Sequence, residues 1–123
     1  MIYSVQQIKF EILAYIKEFD PDFSNWYIGI SSNPKVVMRE AHGVDEAHDA
    51  WFCKQAVSFR ACETIRSYFT EKLKVDGTRI AGTAEDGNWV YLFRKSSRTR
   101  PEVIQPGGMR QSVRSVGVGA GQN

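Results

Sequence analysis

The chain has 123 residues, 42% of them hydrophobic, which is enough for one domain with one core, and no apolar run approaches the length of a membrane span. The N-terminus lacks a charged leader, an unbroken apolar stretch and a small-residue cleavage site, so no signal peptide is expected and the protein is read as cytoplasmic. The net charge of +2 hides an asymmetry: residues 1–93 hold ten Lys/Arg against thirteen Asp/Glu, whereas 94–123 hold six Lys/Arg against Glu102 alone.

The first element is a helix. Ser4 is its N-cap and Gln7 stands at capping-box spacing. Val5, Ile8, Ile12, Ile16 and Phe19 form an apolar stripe with a period of three to four, and Asp20-Pro21 closes the segment. Its charges, Lys9 and Lys17 against Glu11 and Glu18, cancel, which argues against a membrane-surface role.

Trp26 to Ile30 is β-branched and aromatic and reads as the first strand, over 25–31. Asn33 is a good cap, Pro34 suits the first helical position and Gly43 is the expected stop, so a helix follows over 34–42. On a wheel of about 100° per residue, Pro34, Val37, Met38 and Ala41 share the buried face. Lys35, Arg39 and His42 share the opposite one. Two permanent cations and an imidazole in a row near a strand end suit phosphate groups; the plain alternative is a solvated face.

An acidic loop follows, with Asp45, Glu46, His48 and Asp49. It could ligate a hard metal but reads first as a solvated loop. A second strand covers 51–57. Ser58 caps a third helix over 59–74, with Cys62, Ile65, Phe69 and Leu73 as its core stripe and Arg60, Glu63 and Arg66 as a charged ridge. Cys53 and Cys62 lack the spacing of a zinc site and read as free thiols, which fits the cytoplasm; a disulfide between them is the weaker reading. The connection 75–88 carries Gly77, Gly82 and Gly87, a spacing that matches neither the P-loop nor the dinucleotide fingerprint. Trp89 to Phe93 is the third strand and the most β-prone run.

The expected architecture is an α+β two-layer sandwich, with a three-stranded sheet and about three helices in a single domain over 1–95 and a basic, Gly-rich tail over 96–123. Parallel and antiparallel pairings remain open. The tail's arginines, Arg98 and Arg100 among them, suit phosphates, an acidic partner protein or a homodimer formed through the tail.

Tyr27-Ile28-Gly29-Ile30-Ser31-Ser32-Asn33-Pro34, with a helix running to His42, resembles the second half of the GIY-YIG nuclease signature. The resemblance covers about residues 25–72. It implies a GIY-YIG-like core in which Tyr27, a tyrosine on a partner strand, a helix cation and a later glutamate form the catalytic set. Tyr91 would supply the partner tyrosine, by permutation, from a strand standing next to Tyr27. Glu63 would hold one divalent metal, Mg or Mn. The family's arginine position falls on Val37, and Arg39 is the cation recruited in its place. No Gly-Ile-Tyr strand precedes Tyr27. The set is therefore incomplete, and the expected function is a module that binds nucleic acid or a nucleotide through Lys35, Arg39, His42, Arg98 and Arg100, with no cofactor required. The alternatives are a working metal-dependent endonuclease and a protein-interaction or anti-defence module of a mobile element.

Overall fold

The computed structural model describes residues 1–77 and 87–100. The middle of the 75–88 connection, with Gly82, and the tail beyond Arg100, with Arg110 and Arg114, lie outside the described residues, and so does the homodimer expected through that tail. The elements are β1 (Ile2–Tyr3), α1 (Val5–Phe19), a 3-10 turn (Phe23–Asn25), β2 (Trp26–Ser31), α2 (Pro34–Val36), β3 (Trp51–Ala56), α3 (Phe59–Ser67) and β4 (Trp89–Arg94). Both α2 and α3 run on into a π-helical turn, Val37–Ala41 and Tyr68–Lys72.

Local chemistry explains most of these limits. The Ser4 hydroxyl accepts from the Gln7 N–H at 3.1 Å and the Ser58 hydroxyl from the Ala61 N–H at 3.0 Å, so each satisfies a donor at the head of its helix. The Gln7 side chain bonds Glu11 rather than returning to Ser4. Asn33 makes no side-chain cap; its own N–H bonds the Ser31 hydroxyl. Gly43, at φ 72°, stops the α2 segment in the left-handed region.

The sheet has four strands in the order β1-β3-β4-β2, one more than expected. The extra strand, β1, is two residues long and too short to show a period of two. It pairs parallel to β3, with Ile2 opposite Gln55, while β4 runs antiparallel to both β3 and β2. Thus β1, β2 and β3 point one way and β4 is inserted in reverse between β3 and β2. The strand bearing Tyr91 is therefore the hydrogen-bonded neighbour of the strand bearing Tyr27.

The expected two layers are also exceeded. α1, α3 and the π turn that follows α3 bury Ile8, Ile12, Ile16, Cys62, Ile65 and Phe69 against Trp26, Ile28, Val90 and Leu92 on one face of the sheet. The α2 segment lies on the other face, where Met38 and Val44 meet Tyr27, Tyr91 and Phe93. The strand order accounts for this. The chain crosses from β1 to the far edge at β2, then returns to β3. Crossovers of one hand place the helix on opposite faces when the direction of travel reverses. No helix among the described residues is long and apolar enough to cross a membrane.

Candidate functional site

The α2 face is shaped by the π turn. The His42 N–H bonds the Val37 carbonyl five residues back, at 3.2 Å, and the Val44 N–H bonds that of Met38, at 2.9 Å. One extra residue in the turn sets the following side chains back by about 100°. Lys35 and Arg39 keep their outward direction. His42 does not: it is fully buried, and its expected place in an exposed row is corrected accordingly.

His42 instead joins the core beneath α2. Its ring lies 4.9 Å from both the Tyr27 and the Phe93 rings, centroid to centroid. Nε2 is 2.8 Å from the Tyr91 hydroxyl and Nδ1 is 2.6 Å from the Arg100 carbonyl. A carbonyl only accepts, so Nδ1 carries the proton and Nε2 accepts from the Tyr91 O–H. The Arg100 N–H returns a bond to the His42 carbonyl at 2.6 Å. Burial pushes the imidazole pKa down to about 4, against a smaller upward pull from the Arg100 hydrogen bond, so the ring is neutral at pH 7. Burial, with Tyr27 nearby, raises the Tyr91 pKa well above its usual value, which keeps that hydroxyl a donor.

Tyr91 needs Gly29. The two residues are cross-strand partners, and a Cβ on Gly29 would lie 2.3 Å from the Tyr91 ring carbon that bears the hydroxyl. The glycine inside β2 is therefore explained by close approach of an aromatic ring.

Lys35 and Arg39 border a shallow open cleft floored by Met38, Val44 and Trp51, with Glu46 on its rim. Lys35 Nζ lies 3.9 Å from a Glu46 carboxylate oxygen and 5.4 Å from the Trp51 ring centroid. Arg39 lies 3.4 Å from the carboxylate of Glu40. All four charged side chains are more than half exposed. The Trp51 indole N–H donates to the Glu46 carbonyl at 3.0 Å, which holds the ring, and its backbone N–H donates to the Tyr15 hydroxyl at 2.9 Å, which ties the main chain there to α1.

Arg98 and Arg100 reach the same end of the molecule. The Arg98 guanidinium bonds Asp49 and that of Arg100 bonds the Glu40 carbonyl at 3.2 Å. The described part of the tail, 96–100, is thus tied down beside α2.

Glu63 lies elsewhere. It sits on α3, across the sheet from the tyrosines, and accepts two bonds from Arg66, at 3.1 and 2.9 Å. The Arg66 guanidinium is almost wholly buried, so this carboxylate has a charge to balance where it stands. The structure therefore brings Tyr27, Tyr91 and His42 together, puts Lys35 and Arg39 beside a separate surface cleft, and leaves Glu63 apart from both. Among the described residues, no group of three or more His, Cys, Asp or Glu side chains could hold a metal ion. Both cysteines are free. Burial pushes the Cys62 thiol up to about 12 and raises that of Cys53, which fits neither for nucleophilic work at neutral pH.

The sequence reading has Trp51 only as the start of a strand and Glu46 only as part of an acidic loop, and misses their place beside Lys35 and Arg39. Trp51 stands two residues before Cys53, on the strand face that pairs with Tyr91 and Phe93, a register that the sequence alone does not show. No family model matches the chain, and no curated protein or solved structure does either.

Proposed function

We propose that the protein is a cytoplasmic binding module whose α2 face receives a phosphate-bearing ligand, nucleic acid or a nucleotide, on Lys35, Arg39 and Trp51. The observation that supports this reading is the convergence of two exposed cations and an aromatic ring on one cleft. Cations neutralise phosphate, and an indole face accepts a base by stacking. The resident partners do not exclude the ligand. Exposed pairs such as Lys35–Glu46 and Arg39–Glu40 are worth about 0–1 kcal/mol each, and a ligand with a terminal phosphate or several linked phosphates offers more charge than one carboxylate and meets both cations at once. His42 leaves the ligand-facing set and becomes the residue that holds α2 on Tyr91 and Arg100.

The GIY-YIG-like relationship belongs to this proposal. The adjacency of β2 and β4, with Tyr27 and Tyr91 on one face, is the feature that supports it. Catalysis through Mg or Mn on Glu63 draws no support from a carboxylate on the other face of the sheet and already bonded to Arg66. No feature of the described residues favours the anti-defence reading over binding.

Fluorescence anisotropy with labelled single- and double-stranded oligonucleotides, and calorimetry with nucleoside mono- and triphosphates, test the reading on wild type and on Lys35→Ala/Arg39→Ala. The double variant is expected to lose about tenfold or more in affinity, and the slope of log K against log salt to fall by about two. Equal binding by both proteins to every polyanion removes the proposal.

A further inference from the structure

The loop between Gly43 and β3 brings acid to a cleft built for anions. Asp45 and Asp49 serve the loop's own fold. The Asp45 carbonyl accepts from the N–H groups of His48 and Asp49, at 3.1 and 2.8 Å. Its carboxylate accepts from the Ala47 N–H at 3.0 Å and meets His48 Nδ1 at 2.8 Å. Asp49, its side chain 6% exposed, bonds the Asp45 N–H at 2.7 Å and the Arg98 guanidinium.

Glu46 differs. Its backbone carbonyl anchors the Trp51 indole, so its place beside the cleft is fixed without help from its side chain. Among the described residues the carboxylate takes no hydrogen bond within the turn; it stays 58% exposed and points at Lys35.

Resting on the phosphate-binding reading, we propose that Glu46 is a built-in anionic competitor for the cleft, occupying Lys35 until a ligand phosphate displaces it. The loop thereby sets the affinity. A weakly charged anion fails to displace the carboxylate, whereas a diphosphate or a strand of nucleic acid succeeds because it engages Arg39 at the same time. Neutralising Glu46 relieves the competition without disturbing the loop, because the Trp51 anchor is a backbone group.

The test compares wild type, Glu46→Gln, Glu18→Gln, Lys35→Ala, Glu46→Gln/Lys35→Ala and Lys35→Ala/Arg39→Ala, using a short fluorescent oligothymidylate and inorganic pyrophosphate as probes. Glu18 is exposed on α1, across the sheet, and controls for the general gain from removing one negative charge. Glu46→Gln is expected to tighten binding by about two- to fivefold, the range of an exposed ion pair, and Glu18→Gln by clearly less. Adding Glu46→Gln to Lys35→Ala is expected to bring no gain over Lys35→Ala alone. Equal gains in the two Gln variants, or weaker binding in Glu46→Gln with an unchanged urea midpoint, overturn the competitor. Loss of binding in the Lys35/Arg39 variant alongside that result leaves the phosphate site standing. Undiminished binding in that variant overturns the site itself, and absence of binding to both probes by wild type and Glu46→Gln overturns both.

Discussion

Acid should loosen this protein through His42. The imidazole is neutral in the fold with a pKa of about 4, against 6.5 when exposed. Between those values the unfolded chain binds the proton and the folded one does not, so stability is complete above about pH 6.5 and falls as the pH drops toward 4. Each unit is worth about 1.4 kcal/mol, which gives a loss of about 2 kcal/mol by pH 5 and about 3 by pH 4. Urea unfolding followed by tryptophan fluorescence, at pH 7 and pH 5 and constant salt, measures it. His42→Gln supplies the reference. It should be less stable than wild type at pH 7 by about 1–3 kcal/mol, because the Tyr91 hydroxyl or the Arg100 carbonyl loses a partner. It should also lack the His42 part of the acid loss, so the gap between the two proteins narrows by about 2 kcal/mol at pH 5. A gap that stays constant between the two pH values refutes the buried neutral imidazole.

Gly29→Ala should destabilise the fold by about 1–3 kcal/mol or displace Tyr91, read by urea unfolding and near-UV circular dichroism, since the new methyl overlaps the ring. Lys74→Gly should stabilise by about 0.5–1 kcal/mol in the same unfolding assay: Lys74 lies just past the π turn that follows α3, at φ 65°, a conformation that costs a residue with a Cβ more than its bond to the Glu71 carbonyl returns. Glu63→Ala should cost about 1–3 kcal/mol by leaving the buried Arg66 guanidinium without its carboxylate, whereas an Arg66→Met/Glu63→Leu pair should recover much of that loss.

Where local chemistry decides, the sequence is readable. Ser4 and Ser58 cap the helices they precede, Gly43 ends the segment it follows, and three of the four strands lie within a residue or so of their β-prone runs. The failures share a cause in interactions distant along the chain. Counting 3.6 residues per turn puts His42 on the outer face, but the π turn at Val37 breaks that period, and the partner that holds the ring, Arg100, is 58 residues away. The second layer of helix follows from strand order, which no local pattern encodes. Glu63 fell across the sheet from Tyr27 for the same reason. Of the candidate site, Lys35 and Arg39 kept the outward direction that the wheel gives them. The companion ring of Trp51 was hidden because a strand residue facing the α2 side looks, in sequence, like one facing the main core.

The most direct measurement is a nuclear magnetic resonance titration of the nitrogen-15-labelled protein with a short oligonucleotide, read at the three tryptophan indoles. Trp51 lies at the cleft, and Trp26, fully buried with its indole on the Asp20 carbonyl, lies in the core on the other face. The account predicts saturable shifts at the Trp51 indole and at the amides of residues 35–46, with Trp26 unmoved. Shifts confined to other surfaces, or none at the cleft while the ligand binds, would contradict it.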